Sequence, residues 1–321
     1  MTRLSVAIPV FNEEAVLPEL LRRVRTVLDG IAGGPHELLI VDDGSGDRSV
    51  ALLEAAVRED ARVRVVVLSR NFGHQAAFSA ALTYATGSAV VLMDGDLQDA
   101  PEAIPEFLAR FDEGYDVVYA RRIRRKEGVL LRAAYWISYR LIGRLARIEL
   151  PLDAGDFALL SRRVVDALNA LPERQRYLRG LRTWVGFRQI GLDIERHRRY
   201  AGRPKYRFAR LLQLAFDGIL AFSVAPLRAA AVLGALGVGV SVLFALYAVY
   251  VRLALGQSPQ GFTALIVAVT FLSGIQLFFM GIIGEYVGRV YEETKGRPTF
   301  IVARVIEDIE RDGSGVRPAL P

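Results

Sequence analysis

Two uncharged, mostly apolar runs, 229–251 and 262–284, constrain this chain more than any other feature. Arg228 and Arg252 bound the first, and Glu285 ends the second. At 1.5 Å per residue, each spans roughly 34 Å as a helix, against a hydrocarbon core of about 30 Å. The link between them, with Gln257, Ser258 and Pro259, is a short turn. The pattern predicts a transmembrane helical hairpin. Small residues such as Gly234, Gly237, Ser241, Gly274 and Gly281 would let the two helices approach closely. Two spans put both termini on one side. The flanks are rich in arginine and the turn is not, so residues 1–228 and the tail are expected in the cytoplasm. No cleavable signal peptide is expected, because residues 1–10 read as a strand.

A hairpin accounts for only part of 321 residues that are 24% charged. The net charge of +6 is the sum of unlike parts. Residues 1–120 carry 10 Lys+Arg and 19 Asp+Glu, residues 121–228 carry 24 and 9, and residues 229–321 carry 7 and 7. The net charge alone admits nucleic acid as a partner. Its distribution does not favour it, since the basic residues lie among apolar stretches beside the spans. In 128–148, Arg132, Arg140, Arg144 and Arg147 lie among large apolar residues, and 208–227 is an apolar stretch interrupted by Gln213 and Asp217; both read as amphipathic helices lying on a bilayer surface. Cysteine is absent, which excludes disulfides, thiol nucleophiles and Cys-ligated zinc. Three histidines, His36, His74 and His197, lie far apart in sequence and argue against a histidine-rich metal site.

The acidic third alternates strand and helix. Strands are expected at 4–9, 38–41, 63–68, 89–93 and 117–119, with helices at 13–28, 49–58, 75–85 and 103–112. This order predicts an α/β fold with a mostly parallel sheet covered by helices on both faces. Ligands of such sheets sit beyond the carboxyl ends of the strands. Polar clusters fall at those ends: Phe11-Asn12-Glu13, Asp42-Asp43, Ser69-Arg70-Asn71 and Asp94-Gly95-Asp96. Two carboxylates flanking a glycine after a strand can hold Mg²⁺ or Mn²⁺, and the glycine lets the backbone approach a bound diphosphate. The run from Asp42 to Asp47 fits either a turn with a helix N-cap or recognition of a base and ribose, the cap reading suiting Asp47 better. Asp99 is assigned no role.

These residues carry a family resemblance. Val6-Ala7-Ile8-Pro9-Val10-Phe11-Asn12-Glu13, Val41-Asp42-Asp43-Gly44-Ser45 and Asp94-Gly95-Asp96-Leu97-Gln98 resemble family 2 glycosyltransferases of the GT-A fold. Further matches are Arg70 to Gln75, Gly155-Asp156-Phe157, Tyr177-Leu178-Arg179-Gly180 and Gly202-Arg203-Pro204-Lys205-Tyr206. With the hairpin, they make the chain similar to the polyprenyl-phosphate hexose transferases. The resemblance implies metal-dependent, inverting transfer of a hexose from a UDP- or GDP-linked sugar to a polyprenyl phosphate at the cytoplasmic membrane face. It implies that Pro9, Phe11, Glu13, Val41 and Asp43 line the nucleotide pocket, with Gly95 against the diphosphate. It implies Asp94, Asp96 and Gln98 around Mg²⁺ or Mn²⁺, with Arg122, Arg199 and Lys205 on the nucleotide sugar. Arg122, Arg203 and Lys205 are implied on the acceptor phosphate, and Asp156 and Asp96 as catalytic groups. Asp156 would serve as base, orienting group or loop support. A homo-oligomer, often a tetramer, is also implied.

Two departures from the family pattern stand out. Pro204 precedes Lys205 where many relatives have serine, and Ala158 stands where relatives carry arginine. A processive polysaccharide synthase shares this core but usually carries a Gln-x-x-Arg-Trp motif, which Arg182-Thr183-Trp184 does not complete. A non-catalytic nucleotide-binding scaffold is opposed by the intact Asp-Gly-Asp. The chain is expected to divide into a nucleotide-sugar and metal part (1–120), an acceptor part with juxtamembrane helices (121–228), the hairpin (229–284) and a cytoplasmic tail (285–321).

Overall fold

A computed structural model describes residues 3–122, 154–174, 176–194, 225–255 and 261–307. The basic amphipathic stretches expected at 128–148 and 208–227 lie outside these residues, apart from the last three of the second. The segment holding Arg199, Arg203 and Lys205 is also outside them.

The first of two compact units is built on an eight-stranded sheet. Its strands are β1 (Leu4–Val10), β2 (His36–Asp42), β3 (Val63–Leu68), β4 (Ala89–Leu92), β5 (Val117–Arg122), β6 (Ala154–Ser161), β7 (Gln189–Ile194) and β8 (Val302–Ile306). The order across the sheet is β7-β5-β6-β4-β1-β2-β3-β8. β1 pairs in parallel with β2 and β4, β2 with β3, and β5 with β7. β6 runs antiparallel between β4 and β5, and β8 antiparallel to β3.

The sequence shows why the central strands lie inside. Every residue of β1, β2 and β4 is buried, so the strands read as near-continuous apolar runs rather than alternating ones. Pro9 sits in β1 without breaking the sheet, because pairing with β4 ends at Ala7 opposite Leu92. Helices α1 (Leu17–Asp29), α2 (Ser49–Glu59), α3 (His74–Tyr84), α4 (Ile104–Asp112), α5 (Arg162–Ala170) and α6 (Leu178–Trp184) flank the sheet. α1 buries Leu17, Leu20, Leu21, Val24 and Leu28, the stripe its 3.6-residue period dictates. α3 buries Ala76 through Leu82 without a polar face, and it packs on β1, β2 and α5. Its small alanines allow that close seating.

Two strands, β6 and β7, were not expected and are short pieces inside the basic third, while the tail forms β8 on this chain's own sheet rather than on a neighbouring subunit. β8 covers the β3 edge, held by Ser69 N–H on the Ile301 carbonyl at 2.9 Å. Arg304–Glu54 at 2.7 Å and Arg64–Glu307 at 2.9 Å add ion pairs to that edge. α1 begins four residues later than its apolar periodicity predicts. Residues 13–16 turn instead, with the Val16 and Leu17 N–H groups on the Glu13 carbonyl, and Pro18 sits in the first turn of the helix, which starts at Leu17.

The second unit contains helices α7 (Ala225–Leu255) and α8 (Phe262–Thr294). Their apolar segments, Leu227–Val251 and Leu265–Thr294, are 25 and 30 residues long, enough by length and composition to cross a membrane. Their large side chains are exposed along nearly the whole length, including Leu243, Phe244, Phe271 and Phe278. Such a surface suits a lipid solvent rather than water. α8 runs ten residues past Gly284, and Glu285 and Arg289 pair across one turn there.

Candidate active site

The strand ends converge on one sheet edge. The carboxyl ends of β1, β2, β4 and β5 meet there with the amino end of β6. Register places the two acidic partners. Leu92 of β4 pairs with Ala158 of β6 in antiparallel sense, so two residues further on Asp94 comes opposite Asp156. His74, the first residue of α3, completes the group. One ligand atom from each of His74, Asp94 and Asp156 lies within 4.8 Å of the others.

His74 is aimed by its loop. The Asp43 carboxylate accepts the N–H groups of Phe72 at 2.7 Å and of Gly73 at 2.9 Å. Gly44, with φ +72°, lies so close to the Arg70 backbone that an added Cβ would approach within 2.5 Å. Residues 70–73 are thereby docked onto the end of β2, and α3 starts over the site. Burial raises the Asp43 pKa, and the two N–H groups oppose that shift. Asp43 thus holds a loop in this structure, at the end of β2. Asp42, fully buried, accepts the Ser45 N–H at 3.0 Å through Oδ2, and its Oδ1 has no donor among the described residues.

The Asp94-Gly95-Asp96 turn is equally constrained. A Cβ on Gly95 would meet the Pro9 carbonyl at 3.0 Å and Val10 Cγ1 at 3.1 Å, so glycine permits the turn to lie on the end of β1. Asp96 is buried and accepts the Gln98 N–H at 3.1 Å. Leu97 between them is buried with φ +56°, an uncommon conformation for a residue with a branched side chain. His74 Nε2 lies 3.2 Å from Asp94 Oδ1, within ion-pair range, and by geometric criteria that buried oxygen accepts no hydrogen bond among the described residues. Burial would lower the His74 pKa; the neighbouring Asp94 carboxylate outweighs it and the net shift is upward.

The remaining expected residues are dispersed around this edge. Pro9 and Val41 are register partners, both buried. Phe11 is 38% exposed. Glu13 is half-buried in a loop stitched to the next one, with Asn12 N–H on Ser45 Oγ at 2.9 Å and Glu13 N–H on Ser49 Oγ at 3.1 Å. Asp47 accepts the Glu14 and Ser49 N–H groups, but the N-cap position of α2 falls on Arg48, so Asp47 stitches the turn before the helix rather than capping it. The Arg122 backbone ends β5 at the same edge.

Sequence reasoning assigned no role to the α6 arginines. Arg179 grips Asp156 with two nearly parallel hydrogen bonds, at 2.6 and 2.5 Å. Burial would raise the Asp156 pKa, but Arg179 beside it, with His74 and Arg182, holds it below the usual carboxylate range. Arg182 is 4% exposed, and burial pushes its guanidinium down to about 10, which leaves it cationic at neutral pH. Gln75 Oε1 accepts the Leu178 N–H at 3.1 Å and ties the start of α3 to the start of α6. The i, i+3 spacing of Arg179 and Arg182 was the available signal, but it tells nothing until α6 is known to lie over β6.

Comparison with known proteins defines the class: this is a glycosyltransferase. The chain belongs to glycosyl transferase family 2, whose profile matches residues 5–168. It is 42% identical to an uncharacterised glycosyltransferase of Bacillus subtilis over 94% of this chain and 93% of that one. It is 35% identical to the prophage bactoprenol glucosyl transferase homolog of Escherichia coli, over 94% of this chain and 99% of that protein. Identity is 34% to the undecaprenyl-phosphate 4-deoxy-4-formamido-L-arabinose transferase of Klebsiella pneumoniae, over 96% and 95%. Glucosyl-3-phosphoglycerate synthase from Mycobacterium tuberculosis, crystallised with Mn²⁺, UDP and phosphoglyceric acid, shares the fold at TM-score 0.50 and 20% identity, over 68% and 76% of the chains.

Proposed function

We propose that this chain transfers a hexose from a UDP- or GDP-linked sugar to a polyprenyl phosphate at a membrane surface, with inversion at the anomeric carbon. The observation that carries the reading is one sheet edge bearing Asp94, Asp156, His74 and Arg179, in a chain that also holds two helices of membrane-crossing length. Full-length relatives named as bactoprenol and undecaprenyl-phosphate sugar transferases support it.

The donor set fits a hard divalent cation. Asp94 Oδ1 is buried without a hydrogen-bond donor among the described residues, and carboxylate oxygens suit Mg²⁺ or Mn²⁺. Asp94, Asp96 and Gln98 would hold the ion, with the His74 imidazole beside them. When bound, it offsets the charge of a nucleotide diphosphate leaving group. Pro9, Phe11, Glu13, Val41 and Asp43 would receive the nucleotide at the ends of β1 and β2. Gly95 would admit the diphosphate against the backbone. Arg122, Arg199, Arg203 and Lys205 would neutralise the donor and acceptor phosphates, the arginines with planar forks matched to phosphate oxygens and Lys205 as a point charge.

The acceptor oxygen needs little help to react. A phosphate monoester has a second pKa of about 6 and is mostly dianionic at neutral pH. Asp156, ionised and gripped by Arg179, is a weak base, and its role in this reading is to orient. Attack opposite the departing diphosphate in one displacement inverts the configuration. The 121–228 segment would face the lipid head, each Lys or Arg near an anionic surface contributing about 1 kcal/mol. The hairpin would place residues 1–228 and the 285–321 tail in the cytoplasm, in a homo-oligomer. The test is activity of the purified chain after chelation. Transfer should vanish with EDTA and return with Mn²⁺ or Mg²⁺; undiminished transfer in EDTA would remove the metal from this reading.

A further inference from the structure

α6 presents more positive charge to Asp156 than one carboxylate requires. Arg179 and Arg182 stand three residues apart on one face of the helix. Arg179 is bound bidentately by Asp156. Arg182 lies deeper, 4% exposed, with its guanidinium 5.0 Å from the centre of the Tyr119 ring. Its Nη1 donates a long 3.3 Å bond to the Gly155 carbonyl, while Nε and Nη2 are buried with no acceptor among the described residues. Both arginines and Asp156 line one small cavity, walled otherwise by apolar side chains such as Phe78, Leu92 and Leu160. Leaving guanidinium donors buried and unpaired is costly. The excess donors therefore call for an anion that is present only part of the time.

We infer that Arg179 is a ligand of the acceptor's phosphate monoester, and that Arg182 is the positioning residue that releases it by taking over the Asp156 carboxylate. This rests on the acceptor reading above. A dianionic phosphate competes with the singly charged Asp156 for the Arg179 fork. Withdrawing Arg179 alone would strand a buried carboxylate, which is strongly unfavourable. The open Nε–Nη2 edge of Arg182, in the wall of the same cavity, offers the replacement fork. The exchange moves no proton and makes no covalent bond; it trades one ion pair for two.

Equilibrium binding of radiolabelled farnesyl phosphate to the full chain in detergent tests this, with farnesol as the phosphate-free control and UDP with Mn²⁺ as the donor control. Wild type should bind farnesyl phosphate and discriminate against farnesol. Arg179→Met and Arg182→Met should each weaken farnesyl phosphate by about tenfold or more, with UDP affinity unchanged within about twofold. Arg182→Lys, which keeps the charge but not the fork, guards against a folding defect and should also weaken it. In an Asp156→Asn background the carboxylate no longer needs a substitute partner, so Arg182→Met should add little; a merely structural arginine would weaken binding equally in both backgrounds. Arginine variants that leave farnesyl phosphate affinity intact, or weaken UDP as much, would overturn the exchange while sparing the acceptor reading. Wild type that binds UDP but not farnesyl phosphate would overturn both.

Discussion

Asp94 and Asp156 lie 62 positions apart in the chain, yet their carboxylates meet because β4 and β6 pair in antiparallel register, Leu92 opposite Ala158. Among the described residues, one carboxylate keeps a buried oxygen free of donors, and the other is filled by Arg179. That asymmetry supports the proposed division of work, with Asp94 turned to a cation and Asp156 held by an arginine.

Asp94→Asn should therefore weaken Mn²⁺ far more than it weakens the fold. Titration of free Mn²⁺ by electron paramagnetic resonance is expected to show at least about a tenfold loss of affinity, and transfer should fall by about two orders of magnitude or more. Asp96→Asn is expected to do the same. Native Mn²⁺ affinity in both variants would remove the proposed ion site.

Asp43→Ala should loosen the loop that aims His74. Two N–H groups lose a charged acceptor, and the expected destabilisation is about 1–3 kcal/mol. Gly44→Ala should be comparably harmful, since the new Cβ meets the Arg70 backbone at a positive φ. Chemical denaturation checks the stability, and amide exchange at residues 70–74 should quicken in both variants.

A pH effect on stability is expected away from the site. The Arg163 guanidinium beside Asp116 holds that nearly buried carboxyl below its ordinary value, with burial opposing and Ser161 assisting. A pKa lowered on folding stabilises above the unfolded value of about 4 and loses that contribution as pH falls through the folded value. Melting temperature should drop on acidification below about pH 4, and Asp116→Asn should be less stable at pH 7 with a shallower acid slope. An unchanged slope in the variant would assign the acid sensitivity elsewhere.

The cysteine-free chain makes its own topology testable. A single cysteine at Ser258, in the link between the spans, should react with a membrane-impermeant maleimide added outside intact cells. One at Ser45 should react only after the membrane is opened. The reverse pattern would invert the proposed orientation.

The first five strands were legible because each is a short apolar run ending in a polar cluster, and the hairpin because nothing else is so long and uncharged. β6 was not, since Phe157-Ala158-Leu159-Leu160 is too short to stand out among arginines, and only its register reveals that Asp156 faces Asp94. α1 was misplaced at its start because apolar spacing does not register the turn before Pro18. Asp94, Gly95 and Asp96 were legible as a local pattern. His74, Arg179 and Arg182 take their roles from long-range packing, which no local pattern encodes. The loop role of Asp43 was hidden for the same reason, since its partners lie 29 and 30 residues away.

The central claim is transfer to a lipid phosphate. The most direct measurement incubates the purified chain with undecaprenyl phosphate, Mn²⁺ and a panel of UDP- and GDP-hexoses, and examines the organic phase by mass spectrometry. The account predicts a product heavier than undecaprenyl phosphate by one hexose residue with at least one donor, and none from undecaprenol. No such product with any donor, or sugar appearing only as a polymer, would contradict it.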